Sequence, residues 1–142
     1  MGFIGIDYWL KRVGISTSIL IDDLKDKIYI AKPLCTISPQ EVINFIDNYS
    51  SNKKLEAIII GVPCLQASPF SFRNHVLSFI EKLKVIYQKK LEIIEVSERC
   101  TSKLARIALV DAGYSKKTRQ TKSNVDMISA AIILQSYLDD LK

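Results

Sequence analysis

The sequence predicts an α/β fold, a mixed sheet covered by helices on both faces. Three observations predict it. Residues 3–32 hold three strand-like runs in close succession, short enough in their connections to pair antiparallel. From Pro39 onward helical and strand patterns alternate, as in sheets built from crossover connections. Within that alternation lies "LEAIIIGVP", a short, continuously apolar run of the kind buried on both sides of a sheet.

The elements follow in order. Residues 3–9 and 13–22 read as β-branched strands joined by a tight basic connection, a hairpin. "DDLKD" is a polar turn and "KIYIAK" a third, short strand. Ser38 is placed to cap a helix that starts at Pro39 and carries Glu41 at capping-box spacing. Val42, Phe45, Ile46 and Tyr49 then share one helical face, and "SSNKK" breaks the chain before the "LEAIIIGVP" strand. "CLQASPFS" reads as a loop, followed by helical spacing from Phe72 to Tyr87 and by the strand "LEIIEV". A helix near 102–112 is introduced by Thr101 and stopped by Gly113. "YSKKTRQTKS" is a polar, basic loop, and a last helix runs from about Asn124 to about Asp140.

Composition bounds what this fold can do. With 142 residues, 48% of them hydrophobic, the chain supports one domain over 1–142 with a substantial core. No internal repeat or linker divides it. No apolar run approaches the ~20 residues that span a bilayer, and Asp7 interrupts the apolar start where a signal peptide would continue. A cytoplasmic protein with no membrane association is expected. Cys35, Cys64 and Cys100 are odd in number and widely spaced, so reduced thiols are expected rather than a zinc or disulfide framework. A net charge of +5 points to an anionic partner without identifying one.

Asp7 poses the sharpest question, because a charge in a buried strand is costly unless it is paired or holds a cation. Glu98 falls just past the end of the last predicted strand. Asp126 falls in the first turn of the last helix, on a face shared with Ser129, Ala130, Ile133 and Tyr137. That face is mostly apolar and so points inward, and Ser129 and Ala130 are small enough to let the helix approach the sheet. Converging carboxylates are what a magnesium or manganese site requires, since hard cations take oxygen ligands and can flank a phosphate. Each residue also has a plainer reading. Asp126 could favour the positive end of its helix, Glu98 could pair with Arg99 in solvent, and Asp7 could belong to a turn. Lone His75, with polar neighbours, reads as a surface residue. Lys116, Lys117, Arg119 and Lys122 form either a solvated loop or a phosphate contact.

These segments together resemble the YqgF family of RNase H-like proteins, which comprises Holliday junction resolvases and pre-16S rRNA nucleases. "GIDYWLKRVGIS" resembles the family's opening Gly-x-Asp with its later Lys-Arg-x-Gly. "AKPLCTI" resembles the segment after the third strand, "IIIGVP" the fourth strand, "SERCTS" the Asp-Glu-Arg-x-Thr motif, and "KSNVDMISAAIILQSYLD" with the preceding "SKKTRQ" the C-terminal helix and its basic loop. The pieces stand in the family's order over nearly the whole chain. The resemblance implies an RNase H-like five-stranded mixed sheet in order 3-2-1-4-5. It implies that Asp7, Glu98 and Asp126 are catalytic carboxylates holding Mg2+ or Mn2+. It further implies that Lys11, Arg12, Arg99, Lys116, Lys117, Arg119 and Lys122 contact nucleic acid. The substrate it implies is precursor ribosomal RNA, with the ribosome as a further partner, or branched DNA.

The chain departs from the family pattern at three points. Trp9 stands where the family has glycine, and its indole would block an approaching phosphate, stack on an unpaired base, or pack in the core. Ser97 replaces an acidic residue before Glu98. "CLQASPF" replaces an Asn- and Gly-bearing loop. Trp9 and Ser97 are the features that favour a non-catalytic RNA- or ribosome-binding module on the same fold. A sugar-kinase-like ATPase also opens on a Gly-x-Asp hairpin, but it needs a second lobe, which 142 residues with 5 glycines do not supply.

Overall fold

A computed structural model of the chain describes residues 2–22, 27–63, 70–88, 90–98 and 122–141. The strands are β1 (Gly2–Tyr8), β2 (Val13–Asp22), β3 (Lys27–Ile37), β4 (Leu55–Pro63) and β5 (Glu92–Glu98). The helices among the described residues are α1 (Val42–Asn52), α2 (Phe70–Tyr87) and α3 (Lys122–Asp140). The five strands form one sheet in the order β3-β2-β1-β4-β5, as the family resemblance implies. β1, β2 and β3 pair antiparallel, whereas β4 runs parallel to β1 and β5 parallel to β4. The mixed sheet thus follows from the order in which strand and helix patterns occur along the chain.

Strand alternation sorts the core onto two faces. Ile4, Ile6 and Ile15 pack with Ile46 of α1 and with Ile80 and Leu83 of α2. Phe3, Ala57 and Ile59 point the other way and pack with Ile133, Leu134 and Leu138 of α3. β4 supplies both faces: Ile58, Ile59 and Ile60 are all fully buried, which is why its sequence is continuously apolar.

Several boundaries differ from expectation. β3 does not stop at Lys32 but continues through Pro33 to Ile37. It is an edge strand, where the donor that proline lacks is least missed, and a register shift opposite Ile15 and Ser16 accommodates the interruption. The capping box at Ser38 does not form. Pro39–Glu41 is a 3-10 turn in which the Glu41 N–H bonds the Ser38 carbonyl at 3.0 Å, and the Ser38 side chain makes no capping bond. Phe70 and Ser71, expected in a loop, open α2. Glu98 lies inside β5 rather than past its end, because β4 offers a partner as far as Pro63. α3 starts at Lys122, so Asp126 is its fifth residue and lies beyond the first turn. The helix 102–112, the basic loop, Cys64 and Cys100 lie outside the described residues. Cys35 is a free, half-buried thiol whose pKa burial pushes up.

Candidate functional site

Two glycines decide where α3 sits. A Cβ on Gly5 would fall 2.4 Å from Ser16 Oγ and 2.7 Å from the Ala130 carbonyl oxygen. A Cβ on Gly14 would fall 2.1 Å from the Asp126 carbonyl oxygen and 3.0 Å from its Cβ. No side chain fits in either gap, so the helix backbone lies directly on the sheet. Ser16 strengthens the seat by donating from Oγ to the Ala130 carbonyl at 2.8 Å. The glycines of Gly-x-Asp and Lys-Arg-x-Gly therefore serve helix–sheet contact. The small residue expected on the facing helix, Ala130, is where the two meet.

This seat brings two of the three predicted carboxylates together. Asp7 pairs with Gly14 across β1 and β2, and Asp126 lies against Gly14 from above. Cross-strand partners in such a pair have Cα atoms about 4.5–5.5 Å apart. Both carboxylates are buried, Asp7 at 1% and Asp126 at 2% exposure. The turn-residue reading of Asp7 is excluded, since it lies inside β1. The helix-end reading of Asp126 is weakened, since the dipole's influence fades after the first turn. Glu98 ends β5 in register with Pro63, at the same carboxyl end of the parallel strands as Asp7. Its side chain is outside the described portion. Among the described residues no group of three or more metal-ligating side chains occurs.

The turn between β1 and β2 partners both carboxylates. Trp9 N–H bonds the Arg12 carbonyl at 3.0 Å and closes the turn. Trp9 Nε1 donates to Asp7 Oδ2 at 2.9 Å, and Arg12 Nε donates to Asp126 Oδ2 as an ion pair. The Trp9 ring stacks on Phe72 of α2, with centroids 5.1 Å apart and planes at 26°. One residue earlier Tyr8 stacks on Phe79 at 4.4 Å and 23°. Two aromatic side chains thus pin the end of β1 to α2. The half-buried Trp9 ring packs on Phe72 at the edge of the core rather than within it, and makes a hydrogen bond to Asp7 that sequence reasoning did not foresee.

The predicted nucleic-acid contacts divide. Lys11 is exposed in the turn beside the carboxylates, and Arg12 is partly exposed while paired with Asp126. Lys122 opens α3. Arg99, Lys116, Lys117 and Arg119 lie outside the described residues. His75 is exposed, as expected. Arg73 was not singled out in the sequence; it lines a cleft with Pro63 and Ser97 at the ends of β4 and β5. Its position at the first turns of α2, next to the strand that ends in Pro63, is a signal that was available.

The donor chemistry fits a hard divalent cation. Two buried carboxylates supply oxygen ligands on rigid elements, and Arg12 is paired with one of them. Ser129 Oγ is fully buried and has no hydrogen-bonding partner among the described residues. It lies one helical turn after Asp126, on the side where i, i+3 neighbours have Cβ atoms about 5–6 Å apart.

Known proteins are similar to this chain over nearly its whole length. Residues 1–140 match the family described as "RuvX: Holliday junction resolvase". A protein of Amoebophilus asiaticus named "Putative pre-16S rRNA nuclease" is 38% identical over 138 residues, 96% of this chain and 93% of that protein. One of the same name from Bacteroides thetaiotaomicron is 40% identical over 137 residues, covering 96% and 94%. Among solved structures, the Fowlpox virus resolvase with Holliday junction DNA superposes with a TM-score of 0.60 at 11% identity, covering 99% of both chains. Thermus thermophilus RuvC with a Holliday junction substrate gives 0.59 at 11% identity, covering 99% and 96%. At such identity these structures establish the fold, which is RNase H-like.

Proposed function

The chain belongs to the RuvX family of Holliday junction resolvases, also called YqgF, and on that premise we propose that it is a divalent-metal-dependent nuclease that trims the precursor of small-subunit ribosomal RNA. The observation that carries this reading is the pair of buried carboxylates, Asp7 and Asp126, held on either side of Gly14. Two acidic groups buried together on rigid elements are costly to keep, and their oxygen donors suit a hard divalent cation. The whole of 1–142 acts as one domain, in the cytoplasm, with nucleic acid as its partner and the ribosome as the setting in which it meets its substrate. No helix among the described residues is long and apolar enough to cross a membrane.

In this mechanism Asp7, Asp126 and Glu98 would hold Mg2+ or Mn2+. Such a cation would supply polarisation of the scissile phosphate and activation of water. The chain's own residues supply position. β1 and α3 fix Asp7 and Asp126, because both are clamped by main-chain contact at Gly14. Lys11, exposed beside them, attracts the phosphate backbone, together with Arg99, Lys116, Lys117, Arg119 and Lys122. Arg12 keeps Asp126 compensated before substrate arrives.

The test is cleavage of a precursor 16S ribosomal RNA and of a four-way DNA junction, with Mn2+, with Mg2+ and with a chelator. The RNA should be cut only with a divalent cation, and Asp7→Asn should cut no faster than the chelated control while keeping its fold and most of its RNA affinity. Equal cutting by Asp7→Asn would sink the reading. Preferential cutting of the junction would favour the second reading, junction resolution, to which the family description and the superposed resolvases point.

A further inference from the structure

We propose that Trp9 is a positioning residue for Asp7: its indole N–H, anchored by the stack on Phe72, holds the Asp7 carboxylate in the orientation that receives the cation. The inference rests on the reading of Asp7 as a metal ligand. Asp7 is the penultimate residue of β1, next to the turn that carries Trp9. Trp9 Nε1 restricts its carboxylate by donating to Oδ2 at 2.9 Å. The donor is itself immobilised at two points. The ring lies on Phe72 at 5.1 Å, and the Trp9 main-chain N–H bonds the Arg12 carbonyl at 3.0 Å. Outer hydrogen bonds of this kind orient ligating carboxylates, and their loss typically costs about 10–100-fold in metal affinity or activity. The same turn sends Arg12 to Asp126, so one short turn supplies a polar partner to each carboxylate.

The test compares the full-length parent with Trp9→Phe, Asp7→Asn and the double variant. Trp9→Phe keeps an aromatic ring to lie against Phe72 while removing the N–H donor together with the five-membered ring that bears it. Calorimetric titration with Mn2+ alone, without nucleic acid, should show affinity about tenfold weaker in Trp9→Phe and abolished in Asp7→Asn. Trp9→Phe should add nothing in the Asp7→Asn background. On RNA, kcat should fall by a similar factor while KM changes less than twofold, a split that general loosening of the fold would not produce. In the parent, Trp9 is the sole tryptophan, so Mn2+ should quench its emission, and Asp7→Asn should remove the quenching. If Asp7→Asn loses Mn2+ while Trp9→Phe binds it as the parent does, the positioning role is overturned and the nuclease reading stands. If Asp7→Asn binds Mn2+ normally, the metal-ligand reading fails and the positioning role fails with it. Should Trp9→Phe not fold, Trp9→Tyr also lacks the N–H at that place and carries the same expectations.

Discussion

Arg12 is claimed by two partners. Its place in a basic turn suits a phosphate contact, yet its guanidinium bonds Asp126, a carboxylate only 2% exposed. The pair is asymmetric, since the Arg12 side chain is 32% exposed and its charge is screened by solvent. Removing one partner of a fully buried pair costs about 3–5 kcal/mol. Here screening and the other contacts of Asp126 reduce that, and Arg12→Gln should destabilise the metal-free protein by about 1–2 kcal/mol. The deficit narrows when cation is supplied. A divalent ion at Asp126 replaces the missing charge, so Mn2+ should raise the melting temperature of Arg12→Gln by more than it raises that of the parent. Thermal melts with and without Mn2+ give both numbers. Equal shifts in the two proteins would show that Arg12 and the cation do not share Asp126.

At the scale of elements, α3 is seated with its backbone directly on the sheet. Gly14→Ala would push a methyl into the Asp126 main chain, at 2.1 Å from a carbonyl oxygen that has no side-chain freedom to yield. Overpacking costs about 1–3 kcal/mol, and a backbone obstacle puts this substitution at the upper end. Because the displaced segment carries Asp126, cleavage should fall more steeply than stability; chemical denaturation and a cleavage assay on the same sample separate the two. On the opposite face, the Tyr87 hydroxyl of α2 donates to Asp47 of α1 at 2.9 Å. Burial, then this hydrogen bond and the Asp47 charge, push the Tyr87 pKa up. A pKa above the unfolded value of about 10 means that the folded state keeps its proton longer. The contribution of Tyr87 is complete below that pH and is lost as pH rises above it. Tyr87→Phe should cost about 1 kcal/mol near neutrality and lose less stability than the parent between neutral and strongly alkaline pH, as equilibrium denaturation at each pH would show. These elements were legible to different degrees. β4 and the inward face of α3 could be read almost residue by residue, because burial on two faces and a 3.6-residue period leave strong patterns. The ends of β3, β5 and α3 could not, because a partner strand or helix carries each beyond its local signal.

For the whole molecule, the sequence shows which residue types are present but not which of them meet. Asp7 and Asp126 are 119 positions apart, and only the sheet order and the glycine seat join them. The bond from Trp9 to Asp7 left no trace in the sequence, since hydrogen bonding by an indole has no spacing rule. Net charge, by contrast, is legible without any fold, and +5 makes a prediction of its own. Lys116, Lys117, Arg119 and Lys122 lie within seven consecutive positions just before or at the start of α3, the helix that carries Asp126. If they grip the nucleic-acid backbone, each phosphate they neutralise releases counterions. The slope of log affinity against log salt is then about −0.7 per contact on a single strand and about −0.9 on duplex DNA. Changing the four to glutamine should weaken binding to any sequence and flatten that slope by up to about three units on single-stranded RNA. Turnover at saturating substrate should change much less, because these side chains hold the strand and do not polarise its phosphate. Asp7→Asn should do the reverse, losing turnover and keeping the salt slope. Filter binding over a range of salt concentrations, paired with single-turnover cleavage, resolves both. A slope unchanged by the fourfold substitution would make the basic run a solvated surface, and grip would then have to come from Lys11, Arg99 and the Arg73 cleft at the ends of β4 and β5.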